Sequence, residues 1–393
     1  MFYLDELTVT MLPAHRAGLH RVCLFILTIM FGIGIVTPIL PLYASSLGAS
    51  WTEIGLLGTS WGITITLLAT TTGMISDKLG RKPLLIVSAS LSSVAAFLYW
   101  LSSTVAQVIL LRIVEGVAWA FFWPTVEALV TEIVDPILTG RAMGFATVSY
   151  AIAFGVSSLS GGAIANALGY KPAFIIYLTF AILSIPIAIS LPNPVRAAPK
   201  ATKENPRLNL AEMKSTGVVM ACVLGITYTV GLGTLLTFFP VFAKMLGVTV
   251  FLIGVMSAFF WIGRILGSYS GGRLSDKHGR ETVAVGAMLM STVGFIIIAV
   301  SNGTWELLTG VILTGIAIGA AFPISVALIS DHISESSRGF AMGIFETACG
   351  AGVMLVAAIG GLLADMYSPN APYLIAASVN FACACLFVVK RVR

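Results

Sequence analysis

The stretch GMISDKLGR at residues 73–81 has a near copy, GRLSDKHGR, at residues 272–280. The copy lies 199 positions further along the chain. Both copies close a long apolar segment and open a short basic loop. The same offset relates the pair at 161–162 to the pair at 360–361, all four glycines. A constant offset over nearly 90 positions (from 73 to 162) indicates two parallel copies of one structural unit.

Composition places these units in a membrane. Hydrophobic residues make up 58% of the 393-residue chain and charged residues only 10%, so lipid is the expected solvent. Apolar stretches of about 20 residues recur between short polar breaks. We count twelve, at 20–44, 52–74, 83–103, 105–130, 141–166, 172–191, 215–243, 249–272, 281–301, 304–330, 338–364 and 372–389.

The repeat and the spans together predict the fold class. We expect an all-α integral membrane protein in which twelve transmembrane helices form two pseudo-symmetric six-helix bundles. The bundles are predicted at 1–191 and 215–393. The segment 192–214 between them contains four prolines and five Lys or Arg residues, which is typical of a cytoplasmic linker.

The positions of Lys and Arg predict the orientation. With both termini in the cytoplasm, 18 of the 22 basic residues fall on the inside, as the positive-inside rule requires. The net charge of +5 then reflects orientation and does not indicate binding to nucleic acid. The expected location is a prokaryotic cytoplasmic membrane. The first apolar segment is too long for a signal peptide and lacks a cleavage site.

The segment 73–82 resembles the loop 2–3 signature of the major facilitator superfamily, and 272–280 resembles its weaker echo between spans eight and nine. With the twelve spans, the linker and the repeat, the resemblance covers the whole chain. It implies secondary transport by a monomer. We expect no catalytic residues, cofactor or metal, because no nucleotide loop, metal-ligand spacing of the five cysteines or hydrolytic constellation is present.

The resemblance also implies a latch that holds the two bundles together at the cytoplasmic face in the outward-open state. Arg81 is placed to reach Glu132, with Asp135 as the second choice, and the repeat pairs Arg280 with Asp331. A solvated basic loop that only sets topology is the alternative. The latch candidates are Gly73, Asp77, Gly80, Arg81, Glu132, Gly272, Asp276, Gly279, Arg280 and Asp331.

Two opposite charges three residues apart lie inside the fourth span. Arg112 and Glu115 share one helix face, and charges in hydrocarbon must pair or face water. We hypothesise that Glu115 carries a coupling proton and that Arg112 tunes its proton affinity; a static structural pair is the alternative. The second repeat has Val311 and Thr314 at the matching positions, so this function would belong to the N-terminal bundle.

Arg264 in the eighth span and Glu346 in the eleventh are two further charges deep in apolar segments. The first repeat has Ile65 and Thr147 at the matching positions. Unmatched charge in lipid suggests use, either as an interhelical pair or as a substrate contact. These two residues join Arg112 and Glu115 as candidates for proton coupling.

The fifth span bears on the subclass. Drug:proton antiporters with twelve helices in this superfamily typically carry Gly-x-x-x-Gly-Pro-x-x-Gly-Gly there. This chain reads Ala153-x-x-x-Ser157-Ser158-x-x-Gly161-Gly162. The closing glycines match and the Gly-Pro does not, so the chain resembles the exporter branch only in part.

Spans one, four, seven and ten usually line the central cavity in this fold. Aromatic residues with few fixed charges suit a small amphipathic or hydrophobic molecule, including an organic cation, better than a sugar. The same side chains also serve to pack helices or face lipid. The cavity candidates are Thr37, Trp119, Trp123, Tyr228, Phe238 and Phe322.

Three functions remain open at this point. The first is proton-coupled efflux of a small molecule by alternating access. The second is proton-coupled symport of a small metabolite, which the missing Gly-Pro favours. The third is a transporter-like protein that senses a ligand without moving it.

Overall fold

The structure is a computed structural model that describes residues 13–134, 138–193, 216–333 and 335–392. In these ranges the regular structure consists of helices. They are α1 (Pro13–Val36), α2 (Ile39–Ser46), α3 (Trp51–Leu79), α4 (Arg81–Leu101), α5 (Val105–Ile133), α6 (Thr139–Leu168), α7 (Lys171–Ser190), α8 (Thr216–Thr237), α9 (Phe239–Met245), α10 (Val250–His278), α11 (Arg280–Val300), α12 (Thr304–His332), α13 (Glu335–Met366) and α14 (Ala371–Val392).

The helix bounds repeat with the offset that the sequence predicts. The helices α3 and α10 begin and end 199 residues apart, and so do α4 and α11 as well as α5 and α12. The corner between the first two helices of each set is a glycine with positive φ, Gly80 at 92° and Gly279 at 89°. A side chain at this φ would be strained, which explains why both copies of the signature carry glycine there.

The first and seventh predicted spans are each made of two helices. α1 ends two residues before Pro38, which occupies the N-cap of α2, and α9 has Pro240 in its first turn. Proline has no backbone N–H and its ring clashes with the preceding turn, so it interrupts a continuous helix. Both halves of the molecule therefore break their first span near the same depth.

Eleven segments of the described chain are long and apolar enough to cross a membrane, with α1 and α2 joined as Arg16–Ser46. They do not include α3, a 29-residue helix that carries seven threonines. The protein is therefore a multi-pass helical membrane protein, and the number twelve stays a prediction. The division at a 192–214 linker also stays a prediction, because residues 194–215 lie outside the described ranges.

The two halves meet along two seams, which we define by their helices: α3 against α13, and α6 against α10. Small residues let the backbones approach in both. A Cβ added at Gly162 would lie 2.8 Å from the Cα atom of Gly254, and one at Gly55 would overlap the carbonyl of Ala357. Close backbone approach through glycine is the usual way in which membrane helices associate.

The ends of the molecule are named here from the predicted topology. The predicted outer end contains the turns at 47–50 and 246–249, and the predicted cytoplasmic end contains the corners at 80 and 279. Both seams are tight from the predicted outer end to the middle, where Gly350 approaches Thr66. Added Cβ atoms at Gly144, Gly272 and Gly343, nearer the predicted cytoplasmic end, would have no neighbour within 4 Å. The contacts between the halves are thus concentrated towards the predicted outer end.

Candidate functional site

Aromatic side chains from both halves meet near the middle of the molecule. The ring of Tyr150 in α6 lies 5.5 Å from Trp123 in α5 and 5.3 Å from Trp261 in α10, measured between centroids. In the second half, the Tyr228 ring of α8 lies 5.6 Å from Phe322 of α12. We call this group the aromatic belt; its members are Trp119, Trp123, Tyr150, Tyr228, Trp261 and Phe322.

Arg264 of α10 joins the two parts of the aromatic belt. Its guanidinium carbon lies 4.9 Å from the ring centre of Trp261, 5.4 Å from that of Tyr228 and 5.7 Å from that of Tyr150. The Nη2 atom donates a hydrogen bond to the Tyr228 hydroxyl at 2.5 Å. Arg264 and Glu346 form no ion pair among the described residues, so the interhelical pair considered from the sequence is not present.

Two carboxylates, one from each half, lie near the same place. Glu127 is on α5 beside Trp123, Glu346 is on α13, and their charges are close enough to interact. Both side chains are half-buried, and in the described part of the chain neither makes an ion pair. Like charges in a poorly solvated cleft repel each other, and binding one proton removes that repulsion.

The Arg112 and Glu115 pair predicted from their spacing is formed inside the N-terminal half. Arg112 Nη1 lies 2.6 Å from Glu115 Oε2, and the Tyr99 hydroxyl donates to the same oxygen at 3.0 Å. Arg112 Nε donates to the Leu57 carbonyl at 3.2 Å. With Glu115 only 5% exposed, the carboxylate is held by a cation and a hydroxyl within one bundle. Its role in coupling stays a hypothesis.

The contacts expected of the signature loops are present within each half. Arg81 Nη2 lies 2.8 Å from Glu132 Oε1, and Arg280 Nε lies 3.2 Å from Asp331 Oδ2. Arg280 also contacts Asp276 at 2.5 Å. Asp135, the side chain of Asp77 and the surroundings of Gly73 lie outside what the structure describes. Each arginine therefore ties its signature loop to the end of α5 or α12, and a latch between the halves stays a prediction.

A polar contact joins the two halves at the predicted outer end. The Asp365 carboxylate at the end of α13 accepts hydrogen bonds from the backbone N–H of Trp51 at 2.9 Å and from the N–H and hydroxyl of Thr52 at 2.7 and 2.6 Å. These donors are the first turn of α3, whose next N–H is satisfied by Ser50. We call this contact the outer clasp. Sequence alone does not place α13 against the start of α3, so this contact of the exposed Asp365 was not predicted.

Of the two cavity candidates outside the aromatic belt, Phe238 lies away from it and Thr37 borders it at Trp261. Phe238 is fully buried (0% exposed) beside Trp51 and Gly360, so it packs the predicted outer end instead of lining the cleft, contrary to the expectation from its span. Thr37 lines a small pocket with Ser158, Phe239 and Trp261, and its hydroxyl donates to the Ile33 carbonyl. The other four candidates belong to the belt.

Sequence reasoning missed Tyr150 and Trp261. They lie on the fifth and eighth spans, outside the set usually assigned to the cavity, and the repeat offers no signal because Cys349 and Gly62 occupy the matching positions. Trp261 is 1% exposed and looks like a core residue by composition. Only the seam between α6 and α10 brings these rings to Arg264.

Two helical repeats that meet at an aromatic and charged cleft are the architecture of a membrane transport protein. A sequence model of the Major Facilitator Superfamily matches residues 22–269 and 221–393, and the chain belongs to that family.

Its relatives include the uncharacterized MFS-type transporter MJ1560 of Methanocaldococcus jannaschii, 25% identical over 346 residues that cover 86% of this chain and 89% of that protein. The quinolone resistance protein NorA of Staphylococcus aureus is 22% identical over 376 residues, covering 93% and 94%. Such relatives are consistent with a cell membrane as its location.

Solved structures confirm the fold. A mutant of the nucleoside transporter NupG superposes with a TM-score of 0.74 at 17% identity, covering 94% of this chain and 98% of that one. A bacterial homolog of the human lysosomal transporter Spinster, in an inward-facing and unoccupied conformation, gives 0.72 at 15% identity over 96% and 95%. Both are transporters, and at these identities the likeness concerns the fold alone.

Proposed function

We propose that the protein exports a small amphipathic or hydrophobic molecule in exchange for protons, by alternating access. The observation that carries the proposal is the aromatic belt, since side chains of both halves contribute to it. A molecule bound there contacts both bundles, so its binding energy depends on how the bundles are arranged. Aromatic faces bind apolar ligands of many shapes, in keeping with the likeness to a quinolone resistance protein.

The coupling proton is assigned to Glu127 and Glu346. They come from opposite halves and lack a cationic partner in the described chain, so a change in the distance between the bundles changes their mutual repulsion. Glu115, by contrast, is neutralised by Arg112 within one bundle. A carboxylate that interacts with a carboxylate of the other half is better placed to link protonation to rocking.

The direct test uses purified protein in liposomes that hold a trapped pH dye. Lipophilic cations, organic anions, neutral drugs and sugars are added outside, one class at a time. A rise in luminal pH that depends on an added compound shows that protons leave as the compound enters, which is antiport. A fall shows symport, the alternative that the Ser157–Ser158 departure favours. No movement of any compound would refute transport and favour a sensing role.

The proton assignment is tested with matched variants in the same liposomes. Glu127→Gln and Glu346→Gln are expected to abolish the compound-dependent pH change while counterflow of labelled compound continues, because exchange without a proton remains possible. Glu53→Gln, which removes a carboxylate that caps its own helix, is expected to behave as the parent. A compound-dependent pH change that persists in both Glu127→Gln and Glu346→Gln would refute the assignment.

A further inference from the structure

Arg264 carries a positive charge that the described chain does not neutralise. Its polar neighbours are the neutral hydroxyls of Tyr228 and Tyr150. Its Nη1 atom is buried and has no acceptor in hydrogen-bonding geometry, and no carboxylate of a described residue lies within ion-pair distance of it. A charge inside a membrane protein is costly unless it is paired.

The aromatic rings around Arg264 compensate the charge only in part. Cation–π contacts attract the guanidinium to neutral rings, but they supply neither a counter-charge nor an acceptor for the buried Nη1 atom. Arg264 therefore differs from Arg112, which also lies near a ring, that of Trp61, but has the carboxylate of Glu115 beside it. Of these two half-buried arginines, Arg112 has a carboxylate partner within the described chain and Arg264 has none.

The surroundings of Arg264 indicate which kind of ligand could act as its counter-ion. A guanidinium is a planar fork that pairs with a carboxylate, sulfonate or phosphate through two parallel hydrogen bonds. The side chain is half-buried, so part of its surface is not covered by protein. Tyr150 on one half and Trp261 and Tyr228 on the other surround it with aromatic rings, all of them buried. A ligand with an anionic head and a flat apolar body matches this arrangement.

We propose that the substrates are amphipathic organic anions, whose anionic group binds the Arg264 guanidinium and whose aromatic body lies against Tyr150, Trp261 and Tyr228. This inference rests on the proposed function and names its substrate class. The ligand supplies the counter-ion that Glu346 does not, and it bridges α6 and α10, so its binding stabilises particular arrangements of the two halves.

The test is a binding experiment on the purified full-length protein with three probes of similar shape and different charge: 2-naphthoate, neutral 2-naphthamide and 2-naphthylmethylammonium. Affinities are measured by calorimetry. Wild-type protein is expected to bind naphthoate at least about tenfold more tightly than naphthamide, or about 1.4 kcal/mol. Equal affinities, or a preference for the ammonium, would overturn the inference.

Variants locate the preference. Arg264→Gln is expected to bring the naphthoate-to-naphthamide ratio close to one, and Arg264→Lys to retain part of it, since lysine keeps the charge without the planar fork. The matched control is Arg273→Gln, which removes an exposed arginine stacked on Tyr269 of the same helix. A ratio unchanged in Arg264→Gln would overturn the inference. If Arg264→Gln does not fold, the wild-type ratio and the Arg264→Lys variant still decide.

The result also separates this inference from the proposed function. Transport of the ammonium or the amide without any preference for naphthoate would remove the anion site and leave the exporter intact. Binding of naphthoate at Arg264 with no movement of any compound in liposomes would leave the site and remove the exporter.

Discussion

The outer clasp offers a quantitative test of what keeps the predicted outer end closed. In Asp365→Ala, the N–H groups of Trp51 and Thr52 and the hydroxyl of Thr52 lose their acceptor. Because Asp365 is exposed, water replaces much of what is lost. Removing a side chain that satisfies helix-terminal donors costs about 1 kcal/mol, and the loss of a carboxylate at a helix N-terminus adds about 0.3–1 kcal/mol.

The sum is about 1.3–2 kcal/mol, or roughly a 10- to 30-fold change in the equilibrium between closed and open arrangements of that end. An open state populated at about 1% would then reach roughly 10–20%. The change is large enough to see in a distance distribution, and it acts on the equilibrium between arrangements more than on the stability of either bundle.

The assay is double electron–electron resonance with spin labels at Ser103→Cys and Asn302→Cys, in protein whose five native cysteines are replaced. These positions are exposed, belong to different halves and are related by the repeat. Asp365→Ala is expected to raise the population of long distances. The control Glu53→Ala removes a carboxylate that caps only its own helix and is expected to leave the distribution unchanged. If Asp365→Ala also leaves it unchanged, the clasp does not hold the bundles together.

Three other outcomes are expected. Gly162→Ala puts a Cβ 2.8 Å from backbone across the seam, whereas the nearest neighbour of a Cβ in Gly155→Ala is 3.8 Å away; only the former is expected to lengthen the label distances. Glu115→Gln leaves Arg112 without its counter-ion and is expected to lower the free energy of unfolding by about 3 kcal/mol, seen as a lower melting temperature, while pH-driven transport continues. Loss of pH-driven transport at an unchanged melting temperature would instead make Glu115 the proton carrier. Glu132→Gln breaks a partly exposed pair and is expected to cost about 1 kcal/mol or less, so a severe loss of stability in the same melting assay would contradict a surface role.

Much of the fold was predictable because its evidence repeats along the chain. The 199-residue offset fixes equivalent helices, and the positive φ at Gly80 and Gly279 follows from the signature itself. Spacing also placed Arg112 beside Glu115, since residues three apart on a helix are neighbours. The glycine turns and the Arg112–Glu115 pair are local relations, which depend only on residues close together in the chain. They can therefore be predicted from the sequence.

Relations across the seams were not predictable in the same way. Nothing in the local sequence shows that Asp365 meets the start of α3 or that Tyr150 and Trp261 enclose Arg264, because each depends on which helices of the two halves become neighbours. The expected partner of Arg264, Glu346, was chosen for being the other unmatched charge. In the described chain the two form no ion pair, and Glu346 instead interacts with the charge of Glu127, which the charge count alone did not favour.

The two seams between the halves are related by pseudo-symmetry but differ in their contacts at the predicted outer end. Both seams have a close glycine contact at the same depth, between Gly162 and Gly254 in α6–α10 and between Gly361 and Gly55 in α3–α13, and the α3–α13 seam adds the outer clasp. A glycine contact permits sliding and rotation at little cost, while a set of directional hydrogen bonds is either made or lost. We therefore expect the two halves to open by rotating about the α6–α10 seam, which stays in contact, while they separate along the α3–α13 seam as the outer clasp breaks.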